Sequence, residues 1–167
     1  PRMTIRRLTP DDWAAFRDIR LDMLARDPRA FGSTHADWAA RPEAEVRDWL
    51  ARMHLWAVME GDRALGCAAF CRETAPRATH RAEVIAAYLR PEARGQGHMT
   101  RLLAALADDA RAQGILQLEL QVATWNAAAI AAYARAGFDQ VATLPRTMKD
   151  GEGFTDTALF VLRLDMP

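Results

Sequence analysis

The chain has 167 residues, half of them hydrophobic and 26% charged, which suits one domain (residues 1–167) with a substantial core and is short for two. Lysine plus arginine and aspartate plus glutamate both total 22, so there is no positive excess of the kind that drives sequence-independent binding to nucleic acid. No run approaches the roughly eighteen apolar residues that cross a bilayer, and no charged start leads into an apolar stretch with a small-residue cleavage site, so a cytoplasmic protein without a membrane partner is expected.

Met3 to Leu8 reads as a first strand, after which Thr9-Pro10-Asp11-Asp12 supplies an N-cap, a proline at the first helical position and an acid in the first turn. Trp13, Phe16, Ile19, Met23 and Leu24 recur at helical spacing until Asp27-Pro28 stops the helix. A looser stretch carrying Phe31, Gly32 and Trp38 follows, and Pro42-Glu43 opens a second helix with Val46, Trp49, Leu50 and Met53 on one side. Leu55 to Glu60, a Gly61-Asp62 turn and Ala64 to Arg72 read as a β-hairpin. Cys67 and Cys71 fall on its second arm about 13 Å apart, too far for a disulfide. No second cysteine pair or spaced histidines accompany them as metal ligands, so they read as small core residues.

Thr74 to Arg81 is polar and reads as a loop, and Glu83 to Arg90 as a fourth strand that leads through Pro91 into Arg94-Gly95-Gln96-Gly97-His98-Met99. From Gly97 a helix sets Met99, Leu102, Leu103, Leu106 and Ala110 on one stripe, and Gly114 closes it. Ile115 to Val122 alternates Leu116, Leu118, Leu120 and Val122 against Gln117, Glu119 and Gln121, the period of a half-buried strand. A helix over Asn126–Ala136, a strand from Gly137-Phe138 to about Leu144, a loop around Lys149-Asp150-Gly151-Glu152-Gly153 and a last strand over Thr157–Leu164 complete the chain. Seven strands and four helices in this order predict a mixed sheet with helices on both faces, an α/β (α+β) architecture.

The glycine turn is the first chemical signal. Glycines let main-chain N–H groups approach an anion, and the first turn of the following helix adds unpaired N–H donors and a partial positive charge. Gly95 and Gly97 alone describe a tight bend equally well, and a dinucleotide fingerprint fails because Thr100 stands where its third glycine belongs. What raises the signal is a second segment about thirty residues on, Trp125-Asn126 followed by Tyr133 and Gly137-Phe138.

In these two segments, and in its order of elements from about Ile5 to Leu164, the chain resembles the GCN5-related N-acetyltransferase (GNAT) superfamily. Members carry Arg/Gln-x-x-Gly-x-Gly/Ala after the fourth strand, matched by Arg94 and Gly97, with Met99 in place of a small residue. They also open a helix on an asparagine with a tyrosine seven residues later, matched by Asn126 and Tyr133. The resemblance implies a mostly antiparallel GNAT sheet of about seven strands splayed between the fourth and fifth. It also implies acetyl-CoA as co-substrate without a metal, an amine as acceptor, and a homodimer as one common assembly.

By the same resemblance, main-chain amides of Arg94, Gly95, Gln96, Gly97, His98, Met99 and Thr100 would grip the pyrophosphate. Those of Ala87, Tyr88 and Leu89 would hold the pantetheine and polarise the acetyl carbonyl. Asn126 would contact the pantetheine arm or cap its helix; Tyr133, about 10 Å further along the axis, would protonate the departing sulfur. Glu83 shares side-chain parity with Ala87 and Leu89 in a regular strand and is one candidate general base; Glu119 is a second. Gln121 stands where the ribosomal-protein N-terminal acetylases keep a glutamate, and an amide cannot take that proton. A non-catalytic acyl-CoA sensor of the same fold is the alternative. Trp38, Trp49 and Trp56 are expected in the core or in an acceptor pocket.

Overall fold

The structure, a computed structural model, describes residues 2–166. In chain order the elements are β1 (Met3–Arg7), α1 (Trp13–Arg26), α2 (His35–Ala39), α3 (Glu43–Arg52), β2 (His54–Glu60), β3 (Arg63–Arg72), β4 (Arg81–Leu89), α4 (His98–Ala112), β5 (Gln117–Ala123), α5 (Ala127–Arg135), β6 (Asp139–Asp150) and β7 (Gly153–Arg163). The seven strands form one sheet in the order β1-β2-β3-β4-β5-β7-β6. Only β4 and β5 run parallel; all other neighbours are antiparallel.

Side-chain alternation along the strands feeds two cores. Leu55, Ala57 and Met59 of β2 and Cys67 and Ala69 of β3 meet Phe16, Ile19, Met23, Trp38, Val46, Trp49 and Leu50 on the face covered by α1, α2 and α3. On the opposite face Ala68, Phe70, Val84, Leu118, Leu120 and Phe160 meet Leu103, Leu106, Ala107 and Ala110 of α4. Burying a leucine or phenylalanine of this kind contributes about 1.5–3 kcal/mol. Helices therefore cover both faces of the sheet, as the order of elements predicts.

Three features differ from the sequence expectation. The looser stretch contains a fifth helix, α2, whose N-cap Thr34 accepts the Asp37 N–H at 3.2 Å. The expected loop around 149–153 is only a tight turn at Gly151-Glu152, because β6 and β7 pair as far as Asp150 opposite Gly153. Leu116 lies ahead of β5 and stays 45% exposed, so the buried alternation begins at Leu118. No helix among the described residues is long and apolar enough to cross a membrane.

Candidate active site

The parallel pairing of β4 with β5 covers only Arg81–Glu83 against Gln117–Glu119, and beyond it the two strands part. β4 itself carries the cause of its bend. Ala86 has φ +54°, a left-handed conformation uncommon for alanine, and the register with β3 shifts between Cys67 and Ala69. The extra residue inverts the alternation: Ile85 packs on the α1/α3 face with Ala86 and Tyr88, while Ala87 and Leu89 pack on the α4 side. The expected parity of Glu83 with Ala87 and Leu89 is thus corrected by the bulge. Past Glu83 the edge of β4 that faced β5 has no strand partner and opens into a cleft of about 1240 Å³, lined continuously by Glu83–Leu89.

At one end of the cleft lies the glycine turn. Gly95 and Gly97 have φ +73° and +78°, and Gly97 is the N-cap of α4. The first helical bond runs from the Arg101 N–H to the Gly97 carbonyl, so the amides of His98, Met99 and Thr100 precede the hydrogen-bond ladder, and no side chain caps them. Arg94, Gly95, Gly97, His98, Met99 and Thr100 all line the cleft, whereas Gln96 does not and turns its side-chain amide to the Glu92 carbonyl at 3.0 Å. Met99 tucks its side chain against the sheet core. The His98 ring is buried; its Nδ1 accepts from Arg101 at 2.8 Å, so its proton sits on Nε2, which has no partner. Burial, then Arg101, hold this imidazole below its usual pKa, hence neutral.

The second wall is α5. Asn126 caps it, its Oδ1 accepting the Ala129 N–H at 3.2 Å. Tyr133 faces the same cleft, its ring edge-on to Phe138 at 6.0 Å and tilted on Phe160 at 6.4 Å. Burial alone pushes its phenol up to about 12, so it keeps its proton through the neutral range.

The two candidate bases diverge. Glu119 is clamped by Arg81 through bonds of 2.5 and 2.6 Å and by Gln117 at 2.7 Å, and these, Arg81 foremost, hold its carboxyl below the usual range. Glu83, in register with Glu119 on one side and Cys71 on the other, lines the cleft without an ion-pair partner among the described residues. Burial and the charges of Glu73 and Glu119 push its carboxyl up.

The remaining wall was not legible in the sequence as a site. The loop after α1 contributes Arg29, Phe31, Gly32 and Ser33, and α1 contributes Arg20. The β6–β7 hairpin reaches across to this loop: Asp150 takes a forked ion pair from Arg29, at 2.7 Å at its closest, and Met148 sits over Gly32. Trp38 and Trp49 serve both core and lining, Trp49 stacked on Phe16 and Trp38 edge-on to both, while Trp56 is on the α4 side, its Nε1 donating to Asp109 at 2.9 Å. Among the described residues no group of three or more His, Cys, Asp or Glu is placed to hold a metal ion. Cys67 and Cys71 are both free thiols.

The sequence profile of the acetyltransferase (GNAT) family matches residues 13–138. The chain belongs to the GNAT acetyltransferase family. No curated protein matches it in sequence. Among solved structures, this GNAT chain superposes on yncA of Salmonella typhimurium, which was solved with its cofactor acetyl-CoA, with a TM-score of 0.86, 23% identity, and coverage of 100% of this chain and 96% of that one. The GNAT-family acetyltransferase of Streptococcus pneumoniae gives 0.84 at 21% identity, covering 97% and 99%. The phosphinothricin acetyltransferase of Sinorhizobium meliloti, solved with acetyl-CoA, gives 0.79 at 20%, covering 96% and 88%. At such identities the likeness establishes the GNAT fold and says nothing of the acceptor.

Proposed function

We propose that this chain is an N-acetyltransferase that uses acetyl-CoA and passes the acetyl group directly to an amine bound in the same cleft. The observation that carries the reading is one continuous cavity joining three things: the uncapped helix start at His98–Thr100, the open edge of β4, and Tyr133. Free amides at a helix start suit a diphosphate. An unpaired strand edge offers N–H donors to an extended amide arm and to an oxyanion.

Acetyl-CoA supplies a thioester whose carbonyl carbon the amine attacks. The β4 amides around Ala87–Leu89 hold the carbonyl oxygen as charge develops on it. Glu83 takes the proton the amine nitrogen loses, directly or through water, and Tyr133 gives its phenolic proton to the sulfur as the C–S bond breaks. Asn126 fixes the start of α5 and so the height of Tyr133 in the cleft.

Acetyl-CoA is expected to raise the melting temperature by several degrees where NAD gives no shift, through linkage to the folded state. Mixing with amines should release free thiol. No shift with acetyl-CoA, or an equal one with NAD, sinks the reading; a shift without thiol release for any amine identifies a sensor instead.

The two acids give a paired test. Glu83→Gln is expected to lower kcat/KM about 100-fold and to flatten the acid limb of the pH profile, which in the wild type lies above the ordinary carboxylate range because the base must be deprotonated to act and burial pushes its carboxyl up. Glu119→Gln should keep that limb but move it to lower pH, because the Glu119 charge helps push the Glu83 carboxyl up, and cost about 0.5–1 kcal/mol of stability, a small figure because Arg81 is 39% exposed. The Glu119 carboxyl is lowered by folding, so this contribution is present above its unfolded pKa and is lost as the pH falls through the folded one. An unchanged limb in Glu83→Gln removes it as the base.

A further inference from the structure

The acceptor side of the cleft contains a buried cation with no anion. Arg20, 6% exposed, lies on α1 within the stripe formed by Phe16, Ile19, Met23 and Leu24 and lines the cavity. Its Nη2 donates to Ser33 Oγ at 3.0 Å and its Nη1 to the Met23 sulfur at 3.2 Å, while its Nε has no partner. The guanidinium rests 4.7 Å from the centroid of Trp38, whose own Nε1, in a side chain 1% exposed, is also unpartnered. No carboxylate among the described residues forms an ion pair with Arg20.

Arg90 shows what compensation looks like in the same protein. It is buried to the same 6%, yet it meets Asp18 at 2.6 Å, Asp22 at 3.5 Å and the Ala64 carbonyl at 2.8 Å. The cleft's Arg26, Arg29, Arg41 and Arg94 each pair with an aspartate at 2.7 to 3.5 Å. Near Arg20 the available group is the Cys67 thiol, pushed up to about 12 by burial and so uncharged. A guanidinium cannot discharge itself by losing a proton. Removing one from water without a partner costs several kcal/mol, a penalty that an arriving oxyanion offsets.

Resting on the acetyl-transfer reading above, we infer that Arg20 is the receptor for a carboxylate on the acceptor, which makes the acceptor a small amino carboxylic acid. Phe31, Trp38, Trp49 and Met148 line the surrounding wall and favour an apolar side chain on it. Arg20 Nε–H and Trp38 Nε1–H are buried donors without a partner, and both residues line the cavity where that carboxylate would arrive. Arg20 acts on binding and orientation rather than on the reacting atoms.

The test pairs the common α- and β-amino acids with their decarboxylated amines in a thiol-release assay, using wild type, Arg20→Met and Arg20→Lys. For the preferred pair, wild-type kcat/KM should favour the acid about 20-fold, the scale of one charge-assisted hydrogen bond. Arg20→Met should erase that preference through loss of the acid's kcat/KM, leave the acetyl-CoA melting shift unchanged, and melt at or above the wild-type temperature. Arg20→Lys should restore part of the preference. Equal use of both members by wild type, preference for amines without a carboxylate, or a preference that survives in Arg20→Met overturns the proposal. Melting of Arg20→Met more than about 5 °C below wild type makes Arg20 a structural strut and also overturns it. If no amine is acetylated, melting shifts by the amino acids decide: shifts present in wild type and absent in Arg20→Met keep the carboxylate site while the transferase reading falls, and no shift removes both.

Discussion

Tyr133→Phe is expected to lower kcat about 1000-fold, the middle of the range for losing a positioned general acid, while acetyl-CoA affinity and melting temperature stay close to wild type. The substitution keeps the ring against Phe138 and Phe160 and removes only the hydroxyl. Departing thiolate is the step that needs a proton, so the effect belongs in kcat and not in donor binding. Because burial pushes the phenol up to about 12, the wild type should hold its rate well to the alkaline side of neutrality. Steady-state thiol release at saturating acetyl-CoA, with the melting shift as the binding control, checks this. A rate within about 3-fold of wild type, too little for a general acid, transfers the role to another donor.

Gly97→Val is expected to weaken acetyl-CoA binding about 400-fold, the loss of two charge-assisted amide contacts. A β-branched residue at φ +78° is strained by about 1–2 kcal/mol or more, and its Cβ would come within 3.2 Å of the Arg101 guanidinium. Arg101 is flexible and can move; the backbone angle is what must give. When it does, the amides of His98–Thr100 lose their common direction, while the helix packed through Leu102, Leu103 and Leu106 stays in place. Titration of acetyl-CoA by calorimetry, beside circular dichroism of the unliganded protein, separates the two. Full affinity in a folded Gly97→Val would show that the turn does not hold the donor.

What the sequence carried best was local. Leu118, Leu120 and Val122 alternate on a strand that is half buried, and the α4 stripe repeats cleanly enough to place both elements. The glycine turn and the capping asparagine announce themselves because their constraints act within a few residues. α2 escaped notice because five residues are too few to display a period, and only Trp38 in it is buried. The full reach of β6 and β7 escaped because Pro145 and the register shift between Leu144 and Met148 interrupt the alternation, which resumes only through pairing across the hairpin. Arg20 was hidden for the opposite reason. It occupies a position of the apolar stripe, three residues before Met23 and four after Phe16, and a charge in such a place was the available signal.

Ala86 was the least legible residue of all, since neither glycine nor asparagine marks its left-handed backbone. Its effect is a matter of counting. A strand holding an even beat would continue zipping onto β5 beyond Glu83, and the sheet would close over the cleft. One surplus residue throws the beat off, and the cleft we propose as the reaction chamber is therefore a spacing error in a β-sheet, with α1 and α4 each filling the side of β4 that the misstep presents to them.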